Sequence, residues 1–278
     1  MSSTGDRPTD PPPPPEDEDP DERPNVPGSP SGASVERSRS RLALAVLALA
    51  LLVVALGALS GFGSRWGLWN FRTGFTLLRW SAYGAIVVAV LTLPVLWLTR
   101  PGAGRARDFL TALVALVVSV PVFGLPLTWR ARAGEVPPIH DITTDTNDPP
   151  EFVAVAPLRA DAPNPVEYPG PEVAAQQRRG YPDIRPVVLD APLSEAYETA
   201  LDAAHAEGWE IVGSNLEEGR IEATDRTFWF GFRDDVVIRL TPNGNRTIVD
   251  VRSKSRVGGS DVGTNARRIR SYLERLGG

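Results

Sequence analysis

The residue types that could do acid–base, metal or ion-binding chemistry gather at three places in the C-terminal half of this chain. The first is His140, Asp141, Asp145 and Asp148. An imidazole beside several hard oxygen ligands is a set suited to a divalent cation. Such a cation would support a hydrolytic enzyme built on His140, Asp141 and Asp145. The competing reading is a local one. The spacing lacks the alternate-ligand pattern of a calcium loop, and Asp148 precedes the pair Pro149-Pro150. Asp and Thr in such a run build side-chain-to-backbone turns, and turn-building carries more weight here than metal binding.

The second place is Arg252, Lys254 and Arg256, on alternate positions of a strand-like run and followed by Gly258, Gly259 and Ser260. Alternation puts the three cations on one face. A glycine-rich turn opening a helix exposes amides, so the same corner could receive an anion such as phosphate or a lipid headgroup. The bland alternative is a solvated strand face paired with Asp250, Glu222 or Asp235. The third place is Trp229, Phe230 and Phe232 around Gly231. If the strand ran through them, Trp229 would face one side and Phe228, Phe230 and Phe232 the other, leaving one side open to ligand or membrane. Because aromatics dominate core burial, most of this set is expected to cap the core instead. His205 reads as a solvated or capping histidine on a helix. With no nucleophile-elbow signature, a Ser-His-Asp triad is poorly supported.

The elements that must position these residues follow from the patterning. The tail, residues 1–36, is proline, acid, serine and glycine, including the run Pro11 to Pro15. It has too little apolar surface to offset the entropy of ordering and reads as disordered. The region 37–132 holds three apolar spans, 42–62, 77–98 and 109–127. Each approaches the roughly 20 residues needed to cross a bilayer. None carries an ionisable residue in mid-span, which disfavours transport. Trp66, Trp69, Trp80 and Trp97 sit where headgroup-level anchors belong. Pro94, Pro121 and Pro126 are expected to bend or end helices. Ala58, Ser60 and Gly61 form a small-residue region that would suit cleavage of a signal peptide, but two further spans make the chain membrane-bound either way.

Arginines flank the spans. Arg37, Arg39 and Arg41 share a side with Arg100, Arg105 and Arg107, against Arg65, Arg72, Arg79, Arg130 and Arg132 opposite. This slim excess predicts a cytoplasmic N-terminus and a C-terminal domain outside the cytoplasm. Lys254 is the only lysine, which reads as the coding bias of a GC-rich bacterial genome. There is no cysteine, so disulfides and thiolate metal sites are excluded. The net charge of -5 argues against a nucleic-acid partner.

Residues 133–183 form a proline-rich, extended linker. Phe152, Val153, Val155 and Leu158 are too apolar to leave in water, so the linker is expected to lie on the domain. From residue 184 to 278 the pattern is that of a compact α+β domain. A strand (186–189) precedes a helix carrying Leu193, Ala196, Tyr197, Ala200, Leu201 and Ala204 at helical spacing. Four strands follow, at 209–214, 220–227, 234–240 and 246–254, with Glu218-Gly219 and Asn243-Gly244 as hairpin turns. A final helix carries Val262, Ala266, Ile269, Leu273 and Leu276, with Ser260 as its N-cap. The expected order is β-α-β-β-β-β-α, an antiparallel sheet with helices on one face.

Three sequence words, Ile139 to Asp145, Phe228 to Asp235, and Val249 to Gly258 with Ser260-Asp261, resemble the bacterial family of unknown function DUF1499. The resemblance runs from about His140 to the C-terminus, and the three-helix region is similar to longer members. It implies an envelope-associated domain without an established activity, so no catalytic role transfers to any residue. The resulting expectation is a multi-pass protein of the bacterial inner membrane. Its domain is a non-catalytic binding module for a lipid headgroup, another anionic ligand or an envelope protein, without a cofactor. The alternatives are the cation-dependent hydrolase above and a structural role in membrane assembly.

Overall fold

The computed structural model describes residues 32–101 and 105–277. The tail expected to be disordered lies outside the described residues up to residue 31, while the first helix already begins at Gly32. Residues Arg39–Gly278 make one compact unit.

The three apolar spans are the middles of longer helices: α1 (Gly32–Arg65), α2 (Phe71–Thr99) and α3 (Ala106–Glu135). All three are long and apolar enough to cross a membrane. They meet through small residues. The buried seam of α2 is Gly74, Leu78, Ser81, Ala85, Val88, Thr92, Val95 and Thr99. Ala43 and Ala50 of α1 and Ala112, Ala115 and Ser119 of α3 are likewise wholly buried or nearly so. Small side chains let helix backbones approach where lipid supplies no hydrophobic drive. Ser81 Oγ seals one such approach by donating to the Val53 carbonyl at 2.7 Å. Other Leu and Val side chains of the same helices, such as Leu52, Val90, Leu93 and Val117, point outward and are exposed. Pro94, Pro121 and Pro126 lie inside α2 and α3 and end neither helix. The turn between α1 and α2 is closed by Asn70, whose Oδ1 accepts from Thr73 N as an N-cap. Trp66, Trp80 and Trp97 are exposed as anchors should be. Trp69 is not: it packs on Gly63 and donates its indole N–H to Ser60 O at 3.1 Å.

The domain contains β1 (Asp141–Thr143), a 3-10 turn (Ala156–Arg159), α4 (Pro171–Gly180), β2 (Val187–Leu189) and α5 (Leu193–Ala206). After these come β3 (Glu210–Asn215), β4 (Arg220–Arg226), β5 (Arg233–Asn243), β6 (Arg246–Ser255) and α6 (Thr264–Gly277). The strand order is β1-β6-β5-β4-β3, with β2 also paired to β6. All pairs are antiparallel. β1 lies beside Arg252–Lys254 and β2 beside Thr247–Val249, so these short strands share one edge of β6.

Alternation gives the sheet two different faces. One face presents Ile142, Ile221, Ala223, Val236, Ile238, Val249 and Val251 to α5 and α6, whose Ala196, Tyr197, Ala200, Ile269 and Tyr272 complete the core. Tyr272 Oη donates to Ala200 O at 2.9 Å, tying the two helices. The expected helices on one face are thus present. β1 escaped the sequence pattern because three residues, Asp-Ile-Thr, show no usable period. Residues 150–167 cover the other face, with Phe152 and Val155 buried against Val237.

Candidate functional site

The structure places the residues singled out by sequence in two settings, a sealed ion-pair layer and a cavity. Arg252, Lys254 and Arg256 do share one sheet face, but that face is covered, and the expectation of an open basic surface is corrected. Arg252 is 2% and Lys254 0% exposed. Arg252 meets Asp141 through two hydrogen bonds, Nε to Oδ1 at 2.9 Å and Nη2 to Oδ2 at 2.8 Å. Lys254 Nζ lies 3.0 Å from the same carboxylate. Asp235 likewise serves two cations, Arg159 at 2.7 Å and Arg256 at 2.8 Å. Two cations for each carboxylate leave positive charge unmatched, and carbonyls of the covering segment satisfy it. Arg252 donates to Pro150 O and Val166 O, Lys254 to Glu167 O, and Arg256 to Leu158 O. The Arg252 guanidinium also lies over the Phe152 ring, a favourable cation–π placement. Burial pulls the Lys254 ammonium below its ordinary pKa, with Asp141 opposing that shift. Burial also pushes the Tyr168 hydroxyl up to about 12.

The reciprocal contact is made by Glu222. Its carboxylate accepts from three successive backbone amides of the covering segment, those of Val153, Ala154 and Val155, at 2.9–3.0 Å. The segment therefore offers amides to an anion and carbonyls to cations, which is why so polar a sheet face can be buried.

The metal candidates are corrected for the same reason. Asp141 belongs to Arg252 and Lys254. Asp145 and Asp148 pair with Arg239 at 3.2 and 2.8 Å, and Asp145 Oδ1 also accepts from the amides of Asn147 and Asp148. That is the turn-building role. His140 serves through its carbonyl, which accepts from Ser255 N and Asn265 Nδ2. Among the described residues no group of three or more His, Cys, Asp or Glu is placed to hold a metal ion. His205 is exposed on α5.

The aromatic run behaves differently from both sequence readings. Residues 227–232 form the turn between β4 and β5, so strand alternation does not apply. Thr227 N donates to Phe232 O at 2.8 Å and Gly231 N to Thr227 O at 3.1 Å, with Gly231 at φ 70°, a conformation that glycine adopts without penalty. Phe228 is the exposed member at 77%, while Phe230 is 5% exposed. None of them caps the core under α5 and α6. They dock on the apolar helices: Phe230 lies 4.8 Å from Phe75, Phe232 5.8 Å from Phe71 and Trp229 5.5 Å from Trp129, centroid to centroid. Gly61 and Gly74 leave room for this, since a Cβ on either would collide with Trp229 or Phe230. Arg65 Nη1 donates to Thr227 O at 2.7 Å and Phe228 O at 3.0 Å.

Beside this joint lies a cavity of about 400 Å³, within the range of small-molecule sites. Its wall is aromatic, from Phe71, Phe75 and Trp129 on the helices and Trp229, Phe230 and Phe232 on the turn. The segment 257–264 after β6 closes the other side and includes Gly258 and Ser260 of the predicted anion corner. Val262 adopts φ 53°, a strained conformation for a β-branched residue. Ser260 Oγ accepts from Val262 N, and the Asp261 carboxylate accepts from the amides of Gly263 and Asn265. Asp261, rather than Ser260, therefore caps the start of α6. Burial pushes the Asp261 carboxyl above its ordinary pKa, with those amides pulling the other way. Asp234, also on the wall, is matched by Arg268 at 2.7 Å. Sequence reasoning found Trp229, Phe230, Phe232, Gly258 and Ser260. It missed Phe71, Phe75, Trp129, Arg132 and Arg267, whose only signal was a cluster of aromatics and arginines at helix ends.

Comparison with known proteins adds one match. The family model described as protein of unknown function (DUF1499) matches residues 141–276. No curated protein matches the chain.

Proposed function

We propose that this chain, whose residues 141–276 match the DUF1499 family model, is a membrane-tethered, non-catalytic binding module that takes the apolar part of an amphiphilic ligand. The observation that carries this reading is the aromatic cavity at the joint between α2, α3 and the β4–β5 turn. It opens beside helices long and apolar enough to cross a bilayer, so a lipid-like molecule reaches it without leaving an apolar surface for water. The carboxylates proposed for metal chemistry are engaged with arginine and lysine, which favours binding over hydrolysis. On the arginine flanks the N-terminus belongs in the cytoplasm, and the domain on the outer face of a bacterial plasma membrane. Compartment-specific reporters fused to the C-terminus test that orientation, and activity of the cytoplasmic reporter alone would reverse it.

The cavity is tested with a neutral, photoactivatable long-chain alcohol added to the full chain in phosphatidylcholine nanodiscs. Label should map to peptides containing residues 227–232 and 257–264. Val257→Trp, which places an indole on the cavity wall, should abolish that label without lowering the melting temperature. Wild-type label confined to the outer surfaces of α1–α3 would overturn the reading.

A further inference from the structure

The wall of the junction cavity is not electrically neutral in its available groups, and this bears on the ligand's headgroup. The buried cations of the domain, Arg252, Lys254, Arg159, Arg256 and Arg268, each meet a carboxylate, shared in two cases. The two arginines that line the cavity, Arg132 of α3 and Arg267 of α6, form no ion pair among the described residues. Both side chains are exposed.

Arg267 is nonetheless held in place. Its Nη1 donates to Val262 O at 3.1 Å and its Nη2 to Thr264 Oγ1 at 3.0 Å. A carbonyl and a hydroxyl orient the guanidinium without cancelling its charge. The carbonyl belongs to Val262, the residue with the positive φ. The wall's own carboxylates do not compete, because Asp234 is paired with Arg268 and Asp261 is turned to the amides of Gly263 and Asn265. An apolar chamber with two uncancelled, planar cations at its wall complements one chemistry: a hydrocarbon chain ending in an anion.

Resting on the cavity reading above, we infer that the ligand is an acidic amphiphile whose carboxylate or phosphate head is bound by Arg132 and Arg267. The pairing differs from the buried ion pairs of the domain, since no carboxylate among the described residues supplies its negative partner. Each guanidinium offers a fork of donors to such a head, and charge-assisted hydrogen bonds formed beside an apolar wall are stronger than in open water.

The test compares three photoactivatable probes of equal chain length, the alcohol, the fatty acid and the lysophosphatidate, in competition on the full chain in phosphatidylcholine nanodiscs. The acid and the lysophosphatidate should each label residues 227–232 and 257–264 at concentrations about tenfold lower than the alcohol requires. A preference for only one of them identifies the head as carboxylate or phosphate. In Arg132→Gln/Arg267→Gln that preference should vanish while alcohol labelling persists, which also reports that the cavity still forms. Equal labelling by all three probes on the wild type would overturn the acidic head and leave the cavity reading standing. An unchanged preference in the double variant would overturn the roles of Arg132 and Arg267. Failure of all three probes to label these peptides would overturn the cavity reading itself.

Discussion

Asp141 and Arg252 form a bidentate ion pair between neighbouring strands, with side chains 1% and 3% exposed, and Lys254 shares the same carboxylate. One acid thus holds two buried cations at the edge of the sheet where β1 meets β6. Its removal is predicted to be more harmful than removal of either base. Asp141→Asn leaves both cations uncompensated and should cost about 3–5 kcal/mol, read as a lowered denaturation midpoint of the full chain. Combining it with Lys254→Met removes one of the stranded charges and should recover part of the loss.

Glu222 anchors the covering segment by its amides, and its charge matters as much as its shape. Glu222→Gln keeps one acceptor oxygen but removes the charge facing Val153, Ala154 and Val155, at a cost of about 1–3 kcal/mol. Hydrogen exchange at those three amides should accelerate, while exchange in β5 and β6 stays slow. Uniform acceleration across the sheet would instead mean that the segment and the sheet open as one unit.

The joint between helix and turn depends on a missing side chain. A Cβ at Gly61 would run into the Trp229 indole, whose N–H donates to Ala58 O at 2.9 Å. Gly61→Ala should therefore displace the turn, breaking the Arg65 and Arg226 contacts that accompany it. Trypsin cleavage after Arg226 and Arg233 measures this directly and should rise severalfold in the variant.

Asp261 predicts a pH dependence. Burial raises its folded pKa above the ordinary 3.8, so between those two values the folded chain holds a proton that the unfolded chain has lost. Stability from this group is fully present below the unfolded pKa and is lost as pH rises through the folded one. The facing charges are Asp234, which opposes ionisation, and Arg268, which favours it. Asp261→Asn cannot titrate. Melting curves from about pH 4 to pH 7 should show wild type losing stability relative to this variant as pH rises. A constant difference between the two would mean that the amides of Gly263 and Asn265 fully offset burial.

The apolar spans and the periods of β4, β5, β6, α5 and α6 were legible because they are local: a run of about twenty apolar residues, or alternation over several positions, repeats often enough to be read. So was the shared face of Arg252, Lys254 and Arg256, which follows from the pleat alone. What covers that face was not legible. The partners Asp141, Pro150, Val166 and Glu167 lie 86 to 111 residues away in sequence, and alternation says which side a residue takes but not what lies against it. The cavity was hidden for a related reason. Nothing in the pattern singled out Phe71, Phe75 and Trp129, and most of Trp229, Phe230 and Phe232 read as core. Only the docking of the β4–β5 turn against α2 and α3, permitted by Gly61 and Gly74, turned both sets of aromatics toward one space. The sequence by itself determined which segments are helix, strand and apolar span, because hydrophobic period is a property of neighbours along the chain. The tertiary structure decided which charges are sealed and which remain available, because pairing and burial depend on segments that meet only in space.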